Sequence, residues 1–122
     1  MPKILVVDDE PDIAELLQTV LEEEGYQVIL AGNGREGLAQ VAAARPDLIL
    51  CDVMMPLMDG VSLCRAVQAQ SDARDIPLVF MSAGRKPISQ DGCRYAAFIS
   101  KPFELTTVIE VIASLISSPH RG

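Results

Sequence analysis

Three aspartates, a serine and a lysine, each set at the end of a short apolar run, are the residues of this sequence best placed to do chemistry together. Asp8 and Asp9 follow Ile4-Leu-Val-Val7, Asp52 follows Asp47-Leu-Ile-Leu-Cys51, Ser82 follows Leu78-Val-Phe-Met81, and Lys101-Pro102 follows Ala97-Phe-Ile-Ser100. Crowded carboxylates repel one another, and a hard divalent cation relieves the repulsion. Mg²⁺ takes oxygen ligands, keeps several waters, and is typically held by one or two carboxylates plus a phosphoryl oxygen. A carboxylate can also act as a nucleophile and become an aspartyl phosphate. The outer oxygens of that group need counter-charge and hydrogen bonds, which a metal, Lys101 and Ser82 can supply in the transition state as well. Taken singly these residues mean little, since an acidic residue after a strand is usually a helix cap and Asp9 fits that reading too. The combination is what structure alone does not ask for.

The elements that must position them alternate along the whole chain. Ile4 to Val7 suits a strand buried on both faces. Asp9-Glu10-Pro11 opens a helix whose apolar residues Ile13, Leu16, Leu17, Val20 and Leu21 recur at helical spacing, and Gly25 ends it. Glu22-Glu23-Glu24 reads as a solvated face. Strand 26–30 leads to helix 34–44, strand 47–51 to a loop and helix 61–69, and strand 78–81 to an irregular stretch. Strand 97–100 and helix 103–116 close the pattern. Gly84 to Arg94, with Pro87 and Gly92 and little periodicity, predicts a shortened or irregular fourth helix. Strand–helix units with short connections imply a parallel sheet with helices on both faces. In such sheets ligands bind outside the carboxyl ends of the strands, which is where the five residues fall.

Composition narrows the class. The chain has 122 residues, 49% hydrophobic and 22% charged, which suits one globular domain, residues 1–122 with a core over 3–117 and a tail over 118–122. No apolar run is long enough to span a membrane, and the start shows no signal-peptide pattern, so a cytoplasmic protein is expected. Seventeen acidic against ten basic residues, net −7, argue against nucleic acid and anionic lipid as partners. Cys51, Cys64 and Cys93 are odd in number, without a C-x-x-C pair, and read as free, near-core thiols of a reducing compartment. The only histidine, His120, lies in the tail, which argues against a histidine triad or histidine metal site.

The segments Ile4-Leu-Val-Val-Asp-Asp-Glu10, Pro46 to Gly60, Phe80-Met-Ser-Ala83 and Ile99-Ser-Lys-Pro-Phe103 together resemble the receiver domain of two-component response regulators, in the manner of a single-domain chemotaxis regulator. The resemblance implies a flavodoxin-like, doubly wound α/β fold, a five-stranded parallel sheet of order 2-1-3-4-5. It makes Asp52 the phosphoacceptor. Asp9, Asp52 and the Met54 backbone carbonyl would bind Mg²⁺, with Asp8 assisting through water, while Ser82 and Lys101 would contact the phosphoryl group. It also implies a cis Lys101–Pro102 bond and a switch in which Ser82 moves inward and the aromatic Phe98 follows, a reading favoured over that of a plain strand residue. The implied partners are a sensor histidine kinase or a histidine phosphotransfer protein, and a downstream protein target. No enzyme activity is expected beyond its own phosphoryl transfer and autodephosphorylation. Two departures stand out. Only 18 residues separate Ser82 from Lys101, which puts the usual output surface in doubt, and Met54 with Gly84 occupies positions where the family tunes dephosphorylation.

Rival readings are weaker. Gly32-Asn-Gly-Arg-Glu-Gly37 matches G-x-G-x-x-G after a strand and before a helix, but a dinucleotide site leaves Asp8, Asp9, Ser82 and Lys101 unexplained. A haloacid-dehalogenase-like phosphatase needs an aspartate where Met54 stands. A pseudo-receiver, an interaction module that never takes phosphate, has no use for the acidic set. In the last helix the apolar residues spread wider than the ~100° stripe that a core requires. That predicts a spare edge, Val108, Val111 and Leu115, through which a homodimer or partner could form.

Overall fold

The computed structural model describes residues 1–84 and 92–116. Its elements run β1 (Lys3–Val7), α1 (Pro11–Glu23), β2 (Gln27–Ala31), α2 (Gly34–Ala44), β3 (Leu48–Asp52), α3 (Gly60–Gln68), β4 (Leu78–Ser82), β5 (Ala97–Ser100) and α4 (Leu105–Ile116). The strands form one parallel sheet of order β2-β1-β3-β4-β5, as the flavodoxin-like reading requires. The expected fourth helix falls mostly on residues outside those described; Gly92, Cys93 and Arg94 at its end are not helical.

The continuous apolar runs make the three central strands because both faces of each are covered. Alternate residues feed two cores. Leu5, Val7, Ile49, Cys51, Leu78 and Phe80 face α2 and α3. Ile4, Val6, Leu48, Leu50, Val79 and Met81 face α1 and α4. This two-residue alternation is the pleat of the strand.

Some expectations shift. Asp52 and Ser82 are the last residues of their strands rather than the first beyond them, and both are buried. On α1 the buried residues are Ala14, Leu17 and Leu21, whereas Leu16 is 44% exposed, because the helix turns its Ala14 side closest to the sheet. On α4, Val108 is 1% exposed, and Val111 and Leu115 pack partly against the same core. Of the edge expected to be spare, Val108 therefore belongs to the monomer's own core, while Val111 and Leu115 remain partly exposed.

The cysteine reading is corrected as well. Cys64 of α3 and Cys93 are joined as a disulfide, and Cys51 alone is free among the three, buried in the sheet. The fold brings Cys64 and Cys93 together across 29 positions of sequence, a proximity that spacing does not reveal.

The glycine-rich match has a structural explanation. Asn33 caps α2 by accepting from the Glu36 N–H at 2.9 Å, while Glu36 Oε1 accepts from the Gly32 N–H at 2.8 Å, one residue before the cap. Two of the amides that a phosphate would need are thereby engaged. Gly34 is required by packing: a Cβ there would lie 2.4 Å from the Met58 carbonyl oxygen and 2.8 Å from its Cβ. Gly34→Ala is expected to destabilise the fold by about 1 to 3 kcal/mol through overpacking. Urea unfolding would show this as a lower midpoint with an unchanged slope.

Candidate phosphoacceptor site

β1, β3 and β5 deliver the charged groups to one edge of the sheet. Lys101 Nζ lies 3.2 Å from each of three carboxylates, Asp8 Oδ2, Glu10 Oε1 and Asp52 Oδ2. Parallel register places the ends of β1 and β3 side by side, with Val7 opposite Cys51. The backbone of Lys101 is fixed too, since its N–H donates to the Ser82 carbonyl at 2.9 Å. The Lys101–Pro102 bond is cis, as expected from the resemblance.

Electrostatics follow from burial. Burial pushes the Asp52 carboxyl above the usual carboxylate range; Lys101 pulls it back and Asp8 pushes it up again, leaving a net upward shift. Burial works against the Lys101 charge, yet Asp8 and Asp52 outweigh it and hold the ammonium well above the ordinary lysine range. Beneath them the buried Cys51 thiol is pushed far up, by burial first and by Asp52 and Asp8 second, so it stays a neutral thiol.

The remaining residues line the cleft. Asp9, Glu10, Asp52, Met54, Ser82, Ala83 and Lys101 surround about 270 Å³ open to solvent. Asp9 is exposed at the rim. Met54 is 69% exposed, and its N–H donates to Asp52 Oδ1 at 3.3 Å. Ser82 is buried, with its hydroxyl accepting from the Gly84 N–H at 3.0 Å. Phe98 is half-buried in the core on the α2–α3 side, opposite Phe80 in register.

Glu10 is the residue whose part sequence reasoning missed. It sits at the N-cap of α1 without capping it; its carboxylate reaches Lys101 instead, and its N–H donates to Asp8 Oδ1 at 2.9 Å. The third acid in Asp8-Asp9-Glu10 was the available signal. Asp8, Glu10 and Asp52 each present an oxygen within 4.8 Å of the others. An all-oxygen set already gathered about a cation suits a hard ion such as Mg²⁺.

Residues 4–113 match the family model described as the response regulator receiver domain. The DNA-binding dual master transcriptional regulator RpaA of Synechocystis is 32% identical, aligned over 99% of this chain and 52% of its own length. Among solved structures, the Vibrio cholerae chemotaxis protein CheY4 aligns with a TM-score of 0.88 at 33% identity, covering 95% of this chain and 99% of its own. The receiver domain of the Pseudomonas aeruginosa sensor histidine kinase PA1611, solved with a magnesium ion coordinated in its active-site cleft, aligns at 0.86 and 26% identity, covering 96% and 98%. The chain spans 34% to 53% of the length of the first curated relatives it matches. Because such relatives are DNA-binding regulators, the exclusion of nucleic acid drawn from net charge is not supported. Among the described residues no helix is long and apolar enough to cross a membrane.

A raised folded-state pKa means that ionised Asp52 costs stability, a cost that sets in as pH rises from the ordinary aspartate range towards the folded value. Asp52→Asn is therefore expected to melt above wild type at pH 7 in EDTA. The gap should close as pH falls through the ordinary aspartate range, which thermal melts across pH would show.

Proposed function

The chain belongs to the response regulator receiver domain family, and on that premise we propose that it is a phosphorylation-operated signalling switch with Asp52 as acceptor. The observation that carries the reading is the single ammonium of Lys101 held 3.2 Å from Asp52, Asp8 and Glu10. One Asp52 oxygen attacks the phosphorus of a phosphohistidine on a sensor kinase or phosphotransfer protein. The O–P bond forms as the P–N bond breaks, and that electron pair returns to the imidazole. Lys101 gives up a carboxylate contact for a phosphoryl oxygen, so its positive charge stays neutralised throughout. Asp9, Asp52 and the Met54 carbonyl, with Asp8 through water and Glu10 beside them, would hold Mg²⁺. When bound, the ion supplies counter-charge to the transferring oxygens.

The phosphoryl group then offers Ser82 a stronger partner than the Gly84 amide. Withdrawal of Ser82 from the Gly84 contact opens room towards which Phe98 turns, a population shift between two packed states that changes partner binding. The protein would work in the cytoplasm, catalysing only its own phosphorylation and dephosphorylation, with a downstream protein as target.

Intact mass after incubation with acetyl phosphate and Mg²⁺ tests the reading. Wild type should gain one base-labile phosphoryl group, and Asp52→Asn none. No adduct on wild type, together with no binding of beryllofluoride, would favour the pseudo-receiver. Lys101→Met should slow phosphorylation by about 10²- to 10³-fold, the loss typical of removing a transition-state charge partner. Mg²⁺ alone should raise the melting temperature of wild type, by mass action on the folded state.

A further inference from the structure

The Cys64–Cys93 bond joins two elements that meet again at the acceptor. α3 starts at Gly60, where an added Cβ would lie 2.5 Å from the Asp52 carbonyl oxygen, so its first turn rests on the acceptor's own backbone. Cys64 stands one turn further along α3. Cys93 leads into β5, which carries Phe98 and runs directly into Lys101. The sulfur bond thus ties the helix seated on Asp52 to the strand that brings the ammonium.

Other contacts hold the same two segments together without it. Gln68, one turn beyond Cys64, accepts from the Arg94 N–H and donates to the Arg94 carbonyl. The Tyr95 ring packs on Phe80 at 5.1 Å. The bond is therefore a clasp on an arrangement that packing already specifies, and a core of this size does not need it to fold. Cys93 itself is buried, but Gly92 and Arg94 on either side are exposed, so a small local opening brings its sulfur to solvent. The Arg65 side chain lies over Gly92, its Nε 3.3 Å from where a Cβ would stand. Exchange at such a bond proceeds through the thiolate.

We propose that Cys64 and Cys93 form a reversible thiol–disulfide site whose oxidised state restrains β5 against α3 and slows phosphorylation of Asp52. The second part rests on the receiver reading above. The exchanging agent is a small-molecule disulfide of the glutathione class. One protein thiolate attacks it, forming a mixed disulfide and releasing one small thiol. The second protein thiolate then displaces the other. Two protein thiols lose two electrons, one disulfide gains them, and the two protons end on the released thiols.

The test equilibrates wild type in defined mixtures of reduced and oxidised glutathione, traps free thiols by alkylation, and reads intact mass. It then follows acetyl phosphate labelling of the fully oxidised and fully reduced forms in Mg²⁺. The pair should titrate between dithiol and disulfide within the glutathione range. The reduced form should label about fivefold faster, a modest allosteric coupling, and Cys64→Ser/Cys93→Ser should label at one rate under both conditions. A pair that stays oxidised, or stays reduced, across all mixtures overturns the reversible site. Equal labelling of the two wild-type forms overturns the coupling. Labelling of neither form refutes the receiver reading and the coupling with it, while the mass titration still decides the redox site on its own.

Discussion

Like charges held close together out of water are the constraint that organises this protein. Asp8 and Asp52 are buried and Glu10 stands beside them, with oxygens within 4.8 Å of one another. Such a group is unfavourable unless a cation sits among it, because burial strengthens the repulsion as it removes solvent screening. Lys101 is that cation here, and its position is set by backbone rather than by its flexible side chain alone. A single ammonium cannot satisfy three carboxylates fully, which leaves the group with unspent affinity for further positive charge and for a ligand that brings it.

Everything beneath this group serves to keep it rigid. The ends of β1 and β3 bring Asp8 and Asp52 together by register, and β4 fixes the Lys101 backbone through the Ser82 carbonyl. Helices on both faces seal the strands, so the sheet cannot relax to let the carboxylates move apart. The close approaches at Gly34 and Gly60 extend that rigidity to the loop after Asp52, which is pinned between α2 and α3. Exposed Met54 and Leu57 project from this pinned loop, Leu57 with a positive φ of 71°.

Much of this was legible in the residues. Continuous runs such as Leu78 to Met81 announce strands covered on both faces, and residues at strand ends converge in any parallel sheet, so the meeting of Asp52 with Lys101 followed from topology alone. What could not be read depended on partners distant in sequence. Glu10 has its role only because Lys101, 91 positions away, lies within its reach. Cys64 and Cys93 carry no spacing signature, and the odd count and the expected compartment pointed to free thiols. Val108 looked surplus because helical periodicity measures the width of an apolar face but not the depth of the groove that receives it. The glycine-rich segment shows the opposite case: a motif present in full, two of whose amides its own Asn33 and Glu36 engage.

The place of β1 in the sheet also bears on how the chain is assembled. The first of the five strands in chain order lies inside the sheet, between β2 and β3, and the Lys3 backbone N–H is bonded at 2.7 Å to Asp47, 44 positions later. A nascent chain can pair β1 with β2 early, but its other flank stays open until β3 has emerged, and such long-range parallel pairings form slowly. Asp8 and Asp52 both precede Lys101, the ammonium that stands between them, in chain order. The acidic pair is thus uncompensated until Lys101 follows, and β5 closes the sheet in the same act that neutralises it.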